Sequence, residues 1–124
     1  MADLSPHKHG RWLIRPAIIP VTRSIVRLSE TQRYEDRYGV IHEVEKDFQF
    51  DGASIPREFW WLIGHPLEAE FVHAAGLHDR QCQQRVDSPE AVHRRFYFAL
   101  RAAGVGWRRA EIMWAAVRLK GPRW

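Results

Sequence analysis

The run Asp51-Gly52-Ala53-Ser54-Ile55-Pro56-Arg57 and, about twenty residues on, the pair His78-Asp79 put carboxylate, hydroxyl and imidazole groups where packing alone would not. Three kinds of chemistry fit them. A divalent metal takes three or four nitrogen and oxygen ligands, and Asp51, His78, Asp79 and His93 come from three segments able to converge on one pocket. An open coordination position would then activate water for hydrolysis. Ser54 as nucleophile, with His78 as base and Asp51 or Asp79 orienting it, would make a serine hydrolase. Ser54 lacks the flanking glycines of a nucleophile elbow, however, and no His-Glu-x-x-His spacing supports a metal. The structural account is the most economical. Asp51 and Ser54 accept backbone N–H groups of the turn, Gly52 supplies an unusual dihedral, and His78 and Asp79 anchor the turn to the next helix. A fully satisfied polar network of that kind fixes one packing without catalysis.

Cys82 is the single cysteine, which excludes an internal disulfide and a zinc site built on thiolate pairs. Any metal is expected on His and carboxylates, with Cys82 a buried and inert thiol. Adjacent His78 and Asp79 diverge by about 100° on a helix, so one site can use both only by straddling the helix face.

The elements that must position these groups change period along the chain. Residues 1–23 contain Pro6, Pro16 and Pro20 around Ala17-Ile18-Ile19 and predict an extended N-terminal arm, of the kind that lies across a neighbour. From Ser24 to Phe50 the chemistry is that of strands: Ile25, Val26 and Leu28, then Tyr34 to Tyr38, then Val40 to Val44, with turns at Ser29-Glu30 and Tyr38-Gly39. Alternation puts Val40, His42 and Val44 on one face, which makes His42 a structural histidine beside the sheet core. After Arg57 the pattern is helical. A short helix over Arg57 to Ile63 should end at Gly64-His65-Pro66. Phe71, Ala74, Ala75, His78 and Cys82 then mark one face of a helix reaching about Gln84. Ser88 caps a third helix with Val92, Phe96, Ala99, Leu100 and Ala103 inward and His93 beside them. A fourth runs from Trp107 to about Lys120 with Ala110, Met113, Trp114 and Val117 inward.

The Asp-Gly-Ala-Ser-Ile-Pro turn, the His-Asp pair and the segment Ala116-Val117-Arg118, in that order, resemble the phage-encoded family known as domain of unknown function 1353. The likeness spans roughly Ser24 to Trp124 and leaves out the arm. It implies a protein of tailed bacteriophages or prophages, encoded among virion-morphogenesis or lysis genes, with no assigned activity. The sequence departs where the family carries Ala-Asp and this chain has Val92-His93, which keeps ligand capacity but changes the charge.

At 124 residues the chain fits one domain, taken as 24–124 behind the arm. Its 45% hydrophobic and 27% charged content is that of a folded domain, and no apolar stretch approaches the roughly 20 residues of a membrane span. No secretory signal is visible, so synthesis is expected in the bacterial host cytoplasm, with residence in the virion for a structural protein. The net charge of +4 is uneven, because residues 80–124 carry ten basic side chains against three acidic ones. Sixteen of the nineteen basic residues are arginines, which suit bidentate contacts with carboxylate or phosphate. They are spread along helices rather than clustered, so nucleic acid is a partner less favoured than protein. Of the six tryptophans, Trp12 and Trp124 are the hardest to place in a core, and with Arg108 and Arg109 they are the candidate interface residues.

The sequence therefore predicts an α+β protein: a small antiparallel sheet of three or four short strands, three main helices and an extended arm. The expected function is that of a virion component of the tail or its distal end. It would act through contacts with other virion proteins or a second copy of itself, with no cofactor required. The alternative is a small metal-dependent phage hydrolase acting on cell wall or nucleic acid. An inhibitor of a host enzyme is the third and weakest reading.

Overall fold

The computed structural model describes residues 7–51, 70–85 and 87–124. Ser54, the rest of the motif after Asp51 and the helix expected over Arg57 to Ile63 lie outside them. Among the described residues six strands form two antiparallel sheets of three, followed by three helices. The α+β class expected from the sequence is what the structure shows.

The strands are β1 (Arg11–Ile14), β2 (Ile18–Pro20), β3 (Val26–Leu28), β4 (Gln32–Glu35), β5 (Ile41–Val44) and β6 (Gln49–Phe50). The first sheet has the order β1-β4-β5, the second β2-β3-β6. Residues 7–23, the described part of the segment expected as an arm, supply one strand to each sheet. Gly10 lets this segment enter. Its φ is 83°, and a Cβ there would stand 2.4 Å from the Glu35 carbonyl oxygen.

The register of the first sheet sets one row across three strands, with Trp12 opposite Tyr34 and Tyr34 opposite His42. The rings follow at centroid separations of 5.0 and 6.3 Å, the cross-strand aromatic packing that stabilises short strands. The β4–β5 turn is built by Asp36, whose carboxylate accepts the amides of Tyr38 and Val40 at 2.9 and 3.0 Å. Gly39 supplies the positive φ this turn needs.

The helices are α1 (Val72–Gln84), α2 (Pro89–Ala102) and α3 (Trp107–Lys120). α1 packs on β5 and β6, while α2 lies between α1 and α3 and touches β1. The stripe Phe71, Ala74, Ala75, His78 and Cys82 is buried, as its spacing predicts. Ser88 caps α2 by accepting the Ala91 amide at 3.2 Å, with Pro89 in the first turn.

Candidate functional site

α1 and α2 face each other across a buried polar seam. His78 points inward from α1 and is 1% exposed, and His93 points inward from α2 and is 2% exposed. His78 Nε2 and His93 Nδ1 lie 2.8 Å apart, and His93 Nε2 is 3.1 Å from the Pro122 carbonyl oxygen. A carbonyl only accepts, so His93 carries its proton on Nε2 and its Nδ1 accepts from His78 Nε2–H. Cys82, one turn after His78 on the same helix face, has Sγ 3.6 Å from Nε2 and 3.8 Å from Nδ1 of that ring. Ligand atoms of His78, Cys82 and His93 all lie within 4.8 Å of one another, so the three can hold a metal ion.

Burial governs the protonation of the seam. It pushes His78 down to about 3, with His93 adding to the effect, and pushes the Cys82 thiol up to about 12, with the nearby Asp79 charge in the same direction. It also lowers His93, against the opposing pull of the Pro122 hydrogen bond. At neutral pH the seam is therefore two neutral imidazoles and a thiol. The segment after α3 closes over it: the Trp124 ring stands 6.2 Å from that of His93, and its indole N–H donates to the Asp87 carbonyl at 2.8 Å.

Of the four expected metal ligands, His78 and His93 come together here. Asp51 and Asp79 line a different, polar surface pocket with Ile25, Gln49, Phe50 and Gln83. The third member of the metal-competent group is Cys82, which sequence reasoning set aside as an inert thiol. The signal was the i, i+4 spacing of His78 and Cys82 on a helix, which stacks two ligands on one face.

A second polar network joins the sheet to the same helices. His42 Nε2–H donates to Asp36 at 2.8 Å, and its Nδ1 accepts from Gln81 at 3.2 Å. Gln81 accepts from Arg95 at 2.8 Å, and Arg95 pairs with Asp87 at 2.9 Å. Burial alone would raise the Asp36 carboxyl, but the His42 hydrogen bond and two backbone amides outweigh it and hold it below the ordinary range.

The outer face of α2 carries a ladder of stacked arginines and aromatics. From the β4–β5 turn, Arg37 lies 5.8 Å from the ring of Tyr38 and 4.9 Å from that of Phe98. Arg94 lies 5.1 Å from the ring of Phe98 and 4.6 Å from that of Trp114, and Arg118 lies 4.5 Å from the same Trp114 ring. Two shallow cavities run along it and share Ala91 and Arg94. Tyr38 is 82% exposed at one end.

The interface candidates divide by environment. Trp12 is engaged within the chain, its indole N–H donating to the Ala99 carbonyl at 3.0 Å, as Trp124 is to Asp87. Arg109 lies over Phe71 at 4.9 Å and 3.9 Å from a Glu70 oxygen. Arg108 stacks on the exposed Trp107 at 5.3 Å.

Comparison with known proteins supports the family that the sequence resembles. The chain belongs to the family described as protein of unknown function (DUF1353), whose model matches residues 26–117. It is 38% identical over 103 residues to "uncharacterized protein y4jT" of Sinorhizobium fredii, covering 82% of this chain and 30% of that protein. It is 36% identical over 91 residues to "uncharacterized protein y4iH" of the same organism, covering 73% of this chain and 38% of that protein. The chain thus spans only about a third of the length of these relatives. No solved structure matches it.

Proposed function

We propose that this chain is a protein-contact module of a phage or prophage particle, in the tail or its distal end, and that it engages an acidic segment of another virion protein. The observation that carries the contact is the ladder on α2. Guanidinium groups stacked on aromatic faces keep their N–H donors at the rim, pre-organised for carboxylates. Arg, Tyr and Trp are also the side chains that anchor protein interfaces. The excess of basic groups in residues 80–124 matches an acidic partner. The particle context rests on the family resemblance. On this reading the chain is made in the bacterial cytoplasm and carried into the virion.

The test is to tag the chain in the bacterium that carries the gene, induce particles and band them on a density gradient. The module should co-purify with particles at fixed stoichiometry, and an Arg94→Ala, Arg118→Ala double variant should be depleted from them at least tenfold. A chain that stays wholly in the unbanded fraction sinks the reading.

A second reading, the metal-dependent hydrolase, is favoured by Asp51 and Asp79 lining one polar pocket beside the His78 helix. It predicts metal-dependent cleavage of cell wall or nucleic acid that Asp79→Asn abolishes while the fold survives. Equal cleavage by both proteins, or by neither, removes it.

A further inference from the structure

We infer that His78 Nε2, Cys82 Sγ and His93 Nδ1 bind one thiophilic divalent cation of the zinc class, which cross-links α1 to α2. The inference stands apart from the docking reading, because it concerns the interior rather than the ladder.

The geometry comes first. A tetrahedral ion at ordinary bond lengths sets sulfur and nitrogen ligands about 3.6 Å apart and two nitrogens about 3.3 Å apart. Cys82 Sγ and His78 Nε2 already stand at 3.6 Å. The two imidazole nitrogens, at 2.8 Å, share a proton and need to part by only about 0.5 Å once an ion replaces it. The seam also has the outer-shell partner that metal-bound histidines use, since His93 donates its other ring N–H to the Pro122 carbonyl, which fixes tautomer and ring angle.

The donor set selects the ion. One thiolate and two imidazoles favour zinc, cobalt or copper over magnesium or calcium, which require oxygen ligands. On binding, the Cys82 proton leaves to solvent and the His78 proton shifts from Nε2 to Nδ1, so one proton is released per ion. A surface cavity of about 430 Å³ lined by Glu90, His93, Arg94 and Trp114 gives the ion a route to His93, and the Glu90 charge reaches that ring.

Cobalt is the probe, because a thiolate ligand gives Co2+ a near-ultraviolet charge-transfer band that nitrogen and oxygen ligands do not. The full chain, stripped by chelator under reducing conditions, should take up one equivalent of Co2+ with that band, and Zn2+ should displace it and raise the thermal midpoint. Cys82→Ala, which leaves a small apolar group on the buried helix face, should lose the band and bind at least a hundredfold more weakly. His93→Gln should weaken binding at least tenfold. The parent protein decides the matter even if both variants fail to fold. No charge-transfer band in the parent, or equal Co2+ affinity in the parent and a folded Cys82→Ala, overturns the site. Retention of the ion by the exposed His7 would give binding without the band and counts against it.

Discussion

His78, His93 and His73 are each held below the ordinary imidazole range, in each case first by burial. The unfolded chain takes up a proton on His78 near pH 6.5, whereas the folded chain resists until about pH 3. Between those values the unfolded state binds more protons, so acid drives unfolding. Stability from this residue is complete above about pH 6.5 and falls as pH drops towards 3, at up to about 1.4 kcal/mol per pH unit. Urea midpoints of metal-free protein between pH 7.5 and 4.5 should fall accordingly, and His78→Gln should flatten the slope. A slope unchanged in the folded variant would place the acid sensitivity elsewhere. Gly76 is a second residue whose environment dictates its identity. A Cβ there would come within 2.9 Å of the Phe50 ring, so the glycine is what lets α1 lie close to β6. Gly76→Ala should cost about 1–2 kcal/mol in urea unfolding, because overpacking outweighs the helix propensity gained. A stabilised variant would mean that Phe50 has room to turn aside.

At the scale of elements, the helices were legible and the sheets only half so. Helical periodicity repeats over several turns, and Ser88-Pro89 and Gly104 punctuate it, so α2 and α3 lie where spacing puts them. Strands of two to four residues offer too little alternation to assign partners, and a pairing such as that of Arg11 with Glu35 is set by tertiary contacts that no short window of sequence contains. Trp12 shows the consequence. In sequence it stands among prolines with no core pattern around it, yet its hydrogen bond to Ala99 spans 87 positions and fastens β1 to α2. Trp12→Phe, which keeps most of the ring contact with Tyr34 but removes the donor, should destabilise by about 1 kcal/mol. Trp12→Ala should cost about 3–5 kcal/mol, since it also opens a cavity. Equal losses in the two variants would show that the hydrogen bond, rather than the ring, carries the contact. The same distinction explains the site. His78 and His93 were readable as inward residues of two helices, and the divergence of Asp79 and the stacking of Cys82 on His78 follow from spacing along α1, but the meeting of His78 with His93 depends on how α1 crosses α2.

For the whole molecule the deciding property is the asymmetry of charge. Basic side chains gather in the helical part, where Arg94 and Arg118, joined by Arg37 from the β4–β5 turn, stack on aromatic rings along one face, while Arg27 and Arg33 of the strands and Arg80 of α1 pair with carboxylates elsewhere. An attraction between that face and an acidic partner acts through water at its rim, where the Debye length shrinks from roughly 10 Å at 0.1 M salt to about 3 Å at 1 M. Association with particles should therefore weaken as salt rises, chiefly through a slower association rate, while the stacked aromatics preserve part of the affinity. Arg94→Ala with Arg118→Ala should reduce both the affinity and its salt dependence. Arg108→Ala, at a position stacked on Trp107 and away from the ladder, should leave both near the parent values. Binding rates measured on immobilised particles at about 0.05, 0.15 and 0.5 M salt separate the cases. A salt-independent rate in the parent, or an equal loss in the Arg108→Ala control, would move the contact away from the α2 ladder.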